Sequence, residues 1–225
     1  NMNGILNVYK EKGFTSHDVV AKLRGILHQK KIGHTGTLDP DAVGVLPVCL
    51  GKATRVCDML TEETKTYEAV MLLGVDTDTQ DTSGKVLRTA EVTVTPEEVE
   101  TAALSFIGPY QQIPPMYSAL KVNGKKLYEL ARKGIEVERK AREVQIFDLK
   151  ILDIDLPRVR MEVTCSRGTY IRTLCYDIGE KLGCLGCMEH LTRSRVGIFS
   201  VEDSHTLAEI EASVRENGTP VGLVT

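Results

Sequence analysis

The heptad VLPVCLG (Val45–Gly51) carries no charge and directly follows a polar loop, GHTGTLDPDA, that runs from Gly33 to Ala42. A short apolar run of this kind has to be buried on both faces, and it reads as an interior strand. The fold must therefore cover 45–51 and leave the glycine-bounded loop at the strand's edge. That loop holds His34, Asp39, Pro40 and Asp41. A tight turn accounts for those residue types. So does a carboxylate held stiffly at the mouth of a pocket.

The chain has 225 residues, enough for one large domain or two small ones with a real core. No apolar stretch approaches the roughly 18 residues of a membrane helix. No basic-then-apolar leader opens the chain, and Asn1 ahead of Met2 reads as a leftover of a tag. A cytoplasmic protein is expected. The six cysteines (49, 57, 165, 175, 184, 187) are unevenly spaced and mostly set in apolar runs. They read as reduced thiols rather than a disulfide framework.

Net charge is −3, from 28 Lys and Arg against 31 Asp and Glu, which argues weakly against a nucleic-acid partner. The distribution argues the other way. Residues 121–142 hold eight Lys/Arg against three Glu, whereas 76–100 hold seven acids against two bases. Such asymmetry can conceal a basic binding face in an acidic whole. On charge alone, a solvated helix-bearing hairpin explains the segment as well.

Elsewhere the pattern reads as follows. Residues 4–13 form a strand and turn. Thr15 or Ser16 caps a helix, with Asp18 as capping-box partner and Val19, Val20, Leu23, Ile26 and Leu27 as its apolar stripe. Residues 52–63 read as a helix, 65–74 as a strand, and 75–87 as polar turns. Thr95-Pro96-Glu97-Glu98 starts a helix that runs to about Ile107. Two prolines keep 108–122 extended, and Asn123-Gly124 marks a turn. A helix over 125–134 closes at Gly134. Two strands precede a helix over 169–183, and a last helix over 205–217 begins at His205 or Ser204. Clustered strands with irregular helices predict an α+β fold with a mixed, mostly antiparallel sheet flanked by helices.

Cys184-x-x-Cys187 with His190 suggests zinc, but a structural site needs four ligands and no second pair lies nearby; no metal is expected. CLGKATR lacks the glycine and hydroxyl of a phosphate loop, and no G-x-S-x-G is present. CSRGTYIRTL (165–174) presents Arg167, Tyr170 and Arg172 after a strand. One of these arginines could pair a carboxylate, and alone they read as surface residues.

Together these segments resemble the TruB family of tRNA pseudouridine synthases. YKEKGFTSHDVV resembles the family's K-P-x-G-x-T-S element, with Glu11 where proline is usual. GHTGTLDPDAVGVLPVCLGKATR resembles its catalytic loop nearly throughout. KTYEAVMLLGVDTDTQDTSG, PPMYSALKVNGKKLYELARKGIEVERKAR and CSRGTYIRTLCYDIGEKLGC resemble the motifs that follow, in order. The likeness covers about residues 3–200.

The resemblance implies the pseudouridine synthase fold. It implies isomerisation of the T-loop uridine of tRNA, position 55, to pseudouridine. Catalytic roles fall on Asp39 as nucleophile, Tyr67 in the active site and Arg172 as the aspartate's partner. RNA-binding roles fall on His34, which fills the gap left by the flipped base, and on Tyr170, Lys10, Arg55 and Leu191. Lys121, Lys125 and Lys126 lie in the RNA-clasping segment, about 115–145. The catalytic domain is expected over 2–204. Residues 205–225 are expected to be a C-terminal helix and the start of a linker to a PUA domain not present in this chain.

The chemistry suits these residues. The uracil N1–C1′ bond breaks, the base turns, and C5 joins C1′, with no redox change or external group, so no cofactor is expected. A carboxylate can act at the sugar carbon, at C6 of the base, or in loss of the 2′ proton; the sequence leaves these routes open. A buried aspartate would need a cation such as Arg172 to stay charged. The partner implied is the T stem-loop of tRNA, without a membrane or an obligate protein partner, and a monomer is expected. A non-catalytic tRNA-binding module on the same scaffold and a nucleoside-hydrolase-type enzyme are the competing readings.

Overall fold

The computed structural model describes residues 1–118 and 120–225. The chain falls into two compact units, one of residues 1–68 and 191–225, the other of 69–190.

The first unit opens with β1 (Gly4–Lys10) and α1 (Ser16–Leu27). Thr15 caps α1, and the reciprocal bond from Asp18 completes the capping box foreseen from the sequence. Val19, Val20, Leu23 and Leu27 are buried, and Ile26 is partly so. At about 1.5–3 kcal/mol for each large apolar side chain taken from water, that stripe holds the helix in place. β2 (Ile32–His34) and β3 (Val43–Leu50) follow. All eight residues of β3 are buried, as the apolar run required. β3 pairs antiparallel with β1 on one edge, from Gly4↔Leu50 to Lys10↔Gly44, and β2 also pairs with it.

Residues 52–63 are not the single helix expected. Gly51 takes φ +58, a 3₁₀ turn covers Gly51–Val56, and only α2 (Cys57–Thr61) is α-helical. The Thr54 hydroxyl bonds back to Gly51 O at 2.8 Å, offering the backbone an alternative to the helical ladder. β4 (Lys65–Leu73) then leaves this unit after Glu68.

In the second unit the polar stretch after β4 is more ordered than its composition suggested. β5 (Val75–Thr77) and β6 (Val86–Thr89) form a hairpin, tied by an Arg88–Asp76 ion pair at 2.9 Å. α3 (Pro96–Leu104) starts at Thr95 as read, where Glu98 closes a capping box as well, and ends before Ile107. β7 (Gly108–Gln112) follows. β8 (Lys121–Val122) and β9 (Lys125–Lys126) are a short hairpin around Asn123-Gly124, both at positive φ. α4 (Leu127–Arg132) is shorter than the helix expected over 125–134, because its first two residues go to that hairpin. β10 (Arg142–Asp155) and β11 (Arg158–Cys165) pair antiparallel, and β10 pairs with β7 on its other side. α5 (Ile171–Leu182) buries Ile171, Leu174, Cys175 and Ile178. α3 packs on α5 and β10.

β12 (Gly186–Val196) carries the chain back into the first unit at Leu191. There it pairs parallel with β3 (Thr192↔Val43, Arg193↔Gly44) and antiparallel with β13 (Phe199–Ser200). α6 (Leu207–Asn217) begins two residues later than the helix expected over 205–217. Thr206 is its cap and Glu209 its box partner, the T-x-x-E spacing that His205 and Ser204 lack. The mixed, mostly antiparallel sheet with helices against it is the α+β architecture expected.

Candidate active site

The loop between β2 and β3 is fastened at several points to buried groups of its own unit. Leu38 N donates to Ser16 Oγ at 3.1 Å, and Gly13 N donates to Pro40 O at 2.8 Å. Ala42 N closes a turn on Asp39 O at 3.0 Å. Lys10, 0% exposed, donates from Nζ to Phe14 O (2.6 Å), Glu11 O (3.0 Å) and Pro40 O (3.2 Å). Arg193, 2% exposed, donates from Nη2 to Gly36 O (3.0 Å) and from Nε to Val45 O (2.9 Å). Leu38 and Ala42 are sunk at 3% each while Asp39 between them is exposed. The backbone thus buries both flanks and lifts Asp39, Pro40 and Asp41 together to the surface. A buried aspartate was expected there; Leu38 and Ala42 are buried instead.

His34 ends β2, half-buried. Burial first, then the Arg193 and His17 charges, hold its imidazole below the usual histidine range, so the ring is neutral at pH 7. Its Nδ1 is buried and finds no hydrogen-bond partner among the described residues. Lys10 is pulled down by burial and pushed back up by Asp39 and Asp41, which places these three groups within electrostatic reach. Lys10 was expected at an RNA-contact position. With no exposed surface and three N–H bonds to loop carbonyls, its placement is that of a fastener. Tyr67 is half-buried in β4, Leu191 is buried in β12 two residues before Arg193, and Arg55 is exposed in the 3₁₀ turn.

The second unit fixes its own residues by similar means. Arg172, in the first turn of α5 and 8% exposed, donates from Nη1 to Thr79 O (3.0 Å) and from Nη2 to Tyr117 O (2.8 Å). Two distant carbonyls therefore set the plane of its guanidinium. Tyr170 is the N-cap of α5, and its backbone is clasped by Gln112. Tyr170 N donates to Gln112 Oε1 (2.8 Å) and Gln112 Nε2 donates to Tyr170 O (3.0 Å). Gln112 has no local sequence signature for that role. Lys121 and Lys126 face each other across the β8–β9 hairpin, with Lys125 exposed beside the turn. Like charges directly opposite destabilise a hairpin unless an anion lies between them.

Cys184 and Cys187 are buried, and burial raises both thiols, Cys187 to about 11, so neither is a thiolate at neutral pH. Among the described residues no group of three or more His, Cys, Asp or Glu is placed to hold a metal, and no helix is long and apolar enough to cross a membrane.

The sequence profile of the TruB family pseudouridylate synthase N-terminal domain matches residues 24–171. This chain belongs to the TruB family. A second profile, the tRNA pseudouridylate synthase B C-terminal domain, matches residues 172–220. Among TruB relatives, a tRNA pseudouridine synthase B of Lachnoclostridium phytofermentans is 60% identical over 222 residues, covering 95% of this chain and 72% of the relative. Another, of Alkaliphilus oremlandii, is 54% identical over 211 residues, covering 94% of this chain and 71% of its own. A crystal structure of a Cbf5–Nop10–Gar1 complex superposes with a TM-score of 0.76 at 34% identity over 96% of this chain, which spans 56% of that chain. An H/ACA RNP bound to a substrate RNA containing 2′-deoxyuridine superposes at 0.73, with 31% identity over 97% of this chain and 56% of its own. The TruB family and its solved neighbours account for the fold.

Proposed function

We propose that this chain converts a uridine in the T stem-loop of tRNA to pseudouridine, acting as a monomer and without a cofactor. The observation that carries this reading is TruB membership along nearly the whole chain, at 54–60% identity to proteins named for that reaction. The loop geometry agrees with it. Asp39 is the reacting carboxylate, presented at the surface by a backbone whose flanks are buried. It assists rupture of N1–C1′; the freed uracil turns, C5 bonds to C1′, the C5 proton leaves and N1 regains a proton, so the product is an isomer. Tyr67 supplies an aromatic face and a proton acceptor. Arg172 supplies a planar cation suited to a carboxylate. Removing the base from the stack costs a few kcal/mol, and a neutral His34 ring can occupy the vacancy. Tyr170, Leu191 and Arg55 contribute to the pocket and to RNA contact, and Lys10 acts through the loop it fastens.

Lys121, Lys125 and Lys126 take phosphates. A phosphate between Lys121 and Lys126 would turn their opposition into a favourable bridge, and single-stranded or looped RNA fits a clasp of this kind. Release of tritium from a tRNA transcript carrying 5-³H-uridine tests the reaction, with Asp39→Ala run alongside. Release by the parent and none by the variant is expected. Tight tRNA binding without release by the parent would favour a non-catalytic binding module, and full release by Asp39→Ala would remove Asp39 from its role. Light scattering of the free protein checks the monomer.

A further inference from the structure

Arg193 lies in LTRSRVG, where its neighbour Arg195 is exposed as an ordinary strand arginine is. Arg193 instead heads the fully buried side chains by volume. Its guanidinium donates to two neutral carbonyls, Gly36 O and Val45 O, nine residues apart on either side of Asp39. Burying a cation costs several kcal/mol even after relaxation. A strand that needed only filling would take leucine or methionine without that cost. The surroundings are shaped to admit it: Gly36 is at φ +57, and a Cβ there would stand 3.4 Å from Arg193 Nη1. Gly44 is at φ +118, and a Cβ there would meet Arg193 O at 2.2 Å. Gly44 thus lets the β12 backbone at Arg193 come close beside β3, and Gly36 supplies a left-handed turn at the carbonyl to which Arg193 donates.

We propose that Arg193 is a positioning residue for the reaction: its planar fork ties Gly36 to Val45 and so sets the height and direction at which Asp39 meets the RNA. This rests on reading Asp39 as the reacting carboxylate. Lys10 and Ser16 hold the opposite side, at Pro40 and Leu38. With those in place, loss of Arg193 frees one end of the loop without dissolving it. Lysine is a partial substitute, since an ammonium reaches one carbonyl but cannot span two in a plane.

The test is single-turnover tritium release at saturating tRNA transcript for the parent, Arg193→Met, Arg193→Lys and Asp39→Ala. Binding of the same transcript and the thermal melting of each protein are measured alongside. A misplacement of about 1 Å can cost about 10²-fold in rate, and Arg193→Met is expected to lose about that much with tRNA affinity within about twofold of the parent. Arg193→Lys is expected to lie between them. A folded Arg193→Met within about threefold of the parent rate, or a variant that loses only affinity, overturns the proposal. If Arg193→Met does not fold, Arg193→Lys decides: parental rate overturns the proposal, and a slower rate with unchanged affinity supports it. Activity in Asp39→Ala would instead defeat the reading of Asp39. An inactive Asp39→Ala beside a fully active Arg193→Met defeats the Arg193 proposal alone.

Discussion

Two segments of this protein, both proposed to meet RNA, hold their charges on opposite terms. The Gly33–Ala42 loop has carbonyls taken by two buried cations, Arg193 at Gly36 and Lys10 at Pro40. Its cations lie underneath, hidden from solvent. The segment from 121 to 142 turns its cations outward, and Lys121 and Lys126 even face one another. A group that must meet a sugar carbon cannot wander, whereas a group that must find phosphates gains little from being fixed. The first region spends charge on geometry, the second on attraction.

That contrast can be broken by experiment. Asp39→Ala should lower the single-turnover rate by at least about three orders of magnitude, as loss of a covalent or charge-stabilising group does, with tRNA affinity little changed. Asp41→Asn, one turn residue further on, should stay near the parent. Equal losses at both would mean that the loop presents charge rather than one carboxylate. Gly44→Ala should come next, since a Cβ at φ +118 is strained by about 1–3 kcal/mol before it meets Arg193 O. A melting temperature lowered by several degrees, together with a slower reaction at saturation, would show that the β3–β12 contact governs the loop.

Replacing Lys121, Lys125 and Lys126 together by Gln should do the reverse. Affinity falls by about tenfold or more at low salt, and the slope of log K against log salt flattens by up to about two, while the saturated rate holds. A lowered saturated rate would erase the division of labour. The smallest effect concerns pH. His34 has its folded pKa depressed by burial, so below about 6.5 the unfolded chain takes up a proton that the folded one resists. Stability is unaffected by this group above that range and declines as pH falls through it. His34→Gln should flatten the decline between about pH 6.5 and 5 in denaturant titrations.

Much of this was legible in the residues. The capping box at Thr15, the helix start at Thr95, the apolar run of β3 and the Asn123-Gly124 turn are local features, written within a few positions of one another. The Asp39 loop was legible because its motif is long. Arg193 and Lys10 were not. An arginine inside TRSR and a lysine after a strand look like surface cations, and only carbonyls far away in sequence make them interior ones. Gln112 under Tyr170 escaped for the same reason. The 3₁₀ turn at 51–56 was misread because the hydroxyl of Thr54 competes locally with the helix that the pattern suggested.

The bonds from Arg193 to Val45 and Gly36 bridge 148 and 157 residues of chain. Contacts of such separation form late, after the entropy of closing a long loop has been met. During synthesis, Asp39 leaves the ribosome more than 150 residues before Arg193, which secures its loop. A nascent chain halted anywhere before β12 would display the whole catalytic motif, glycines and aspartate included, without the arginine that aims it. On the Arg193 proposal, competence for the reaction is therefore tied to synthesis of β12, and a copy halted before it would have no set geometry with which to act on RNA.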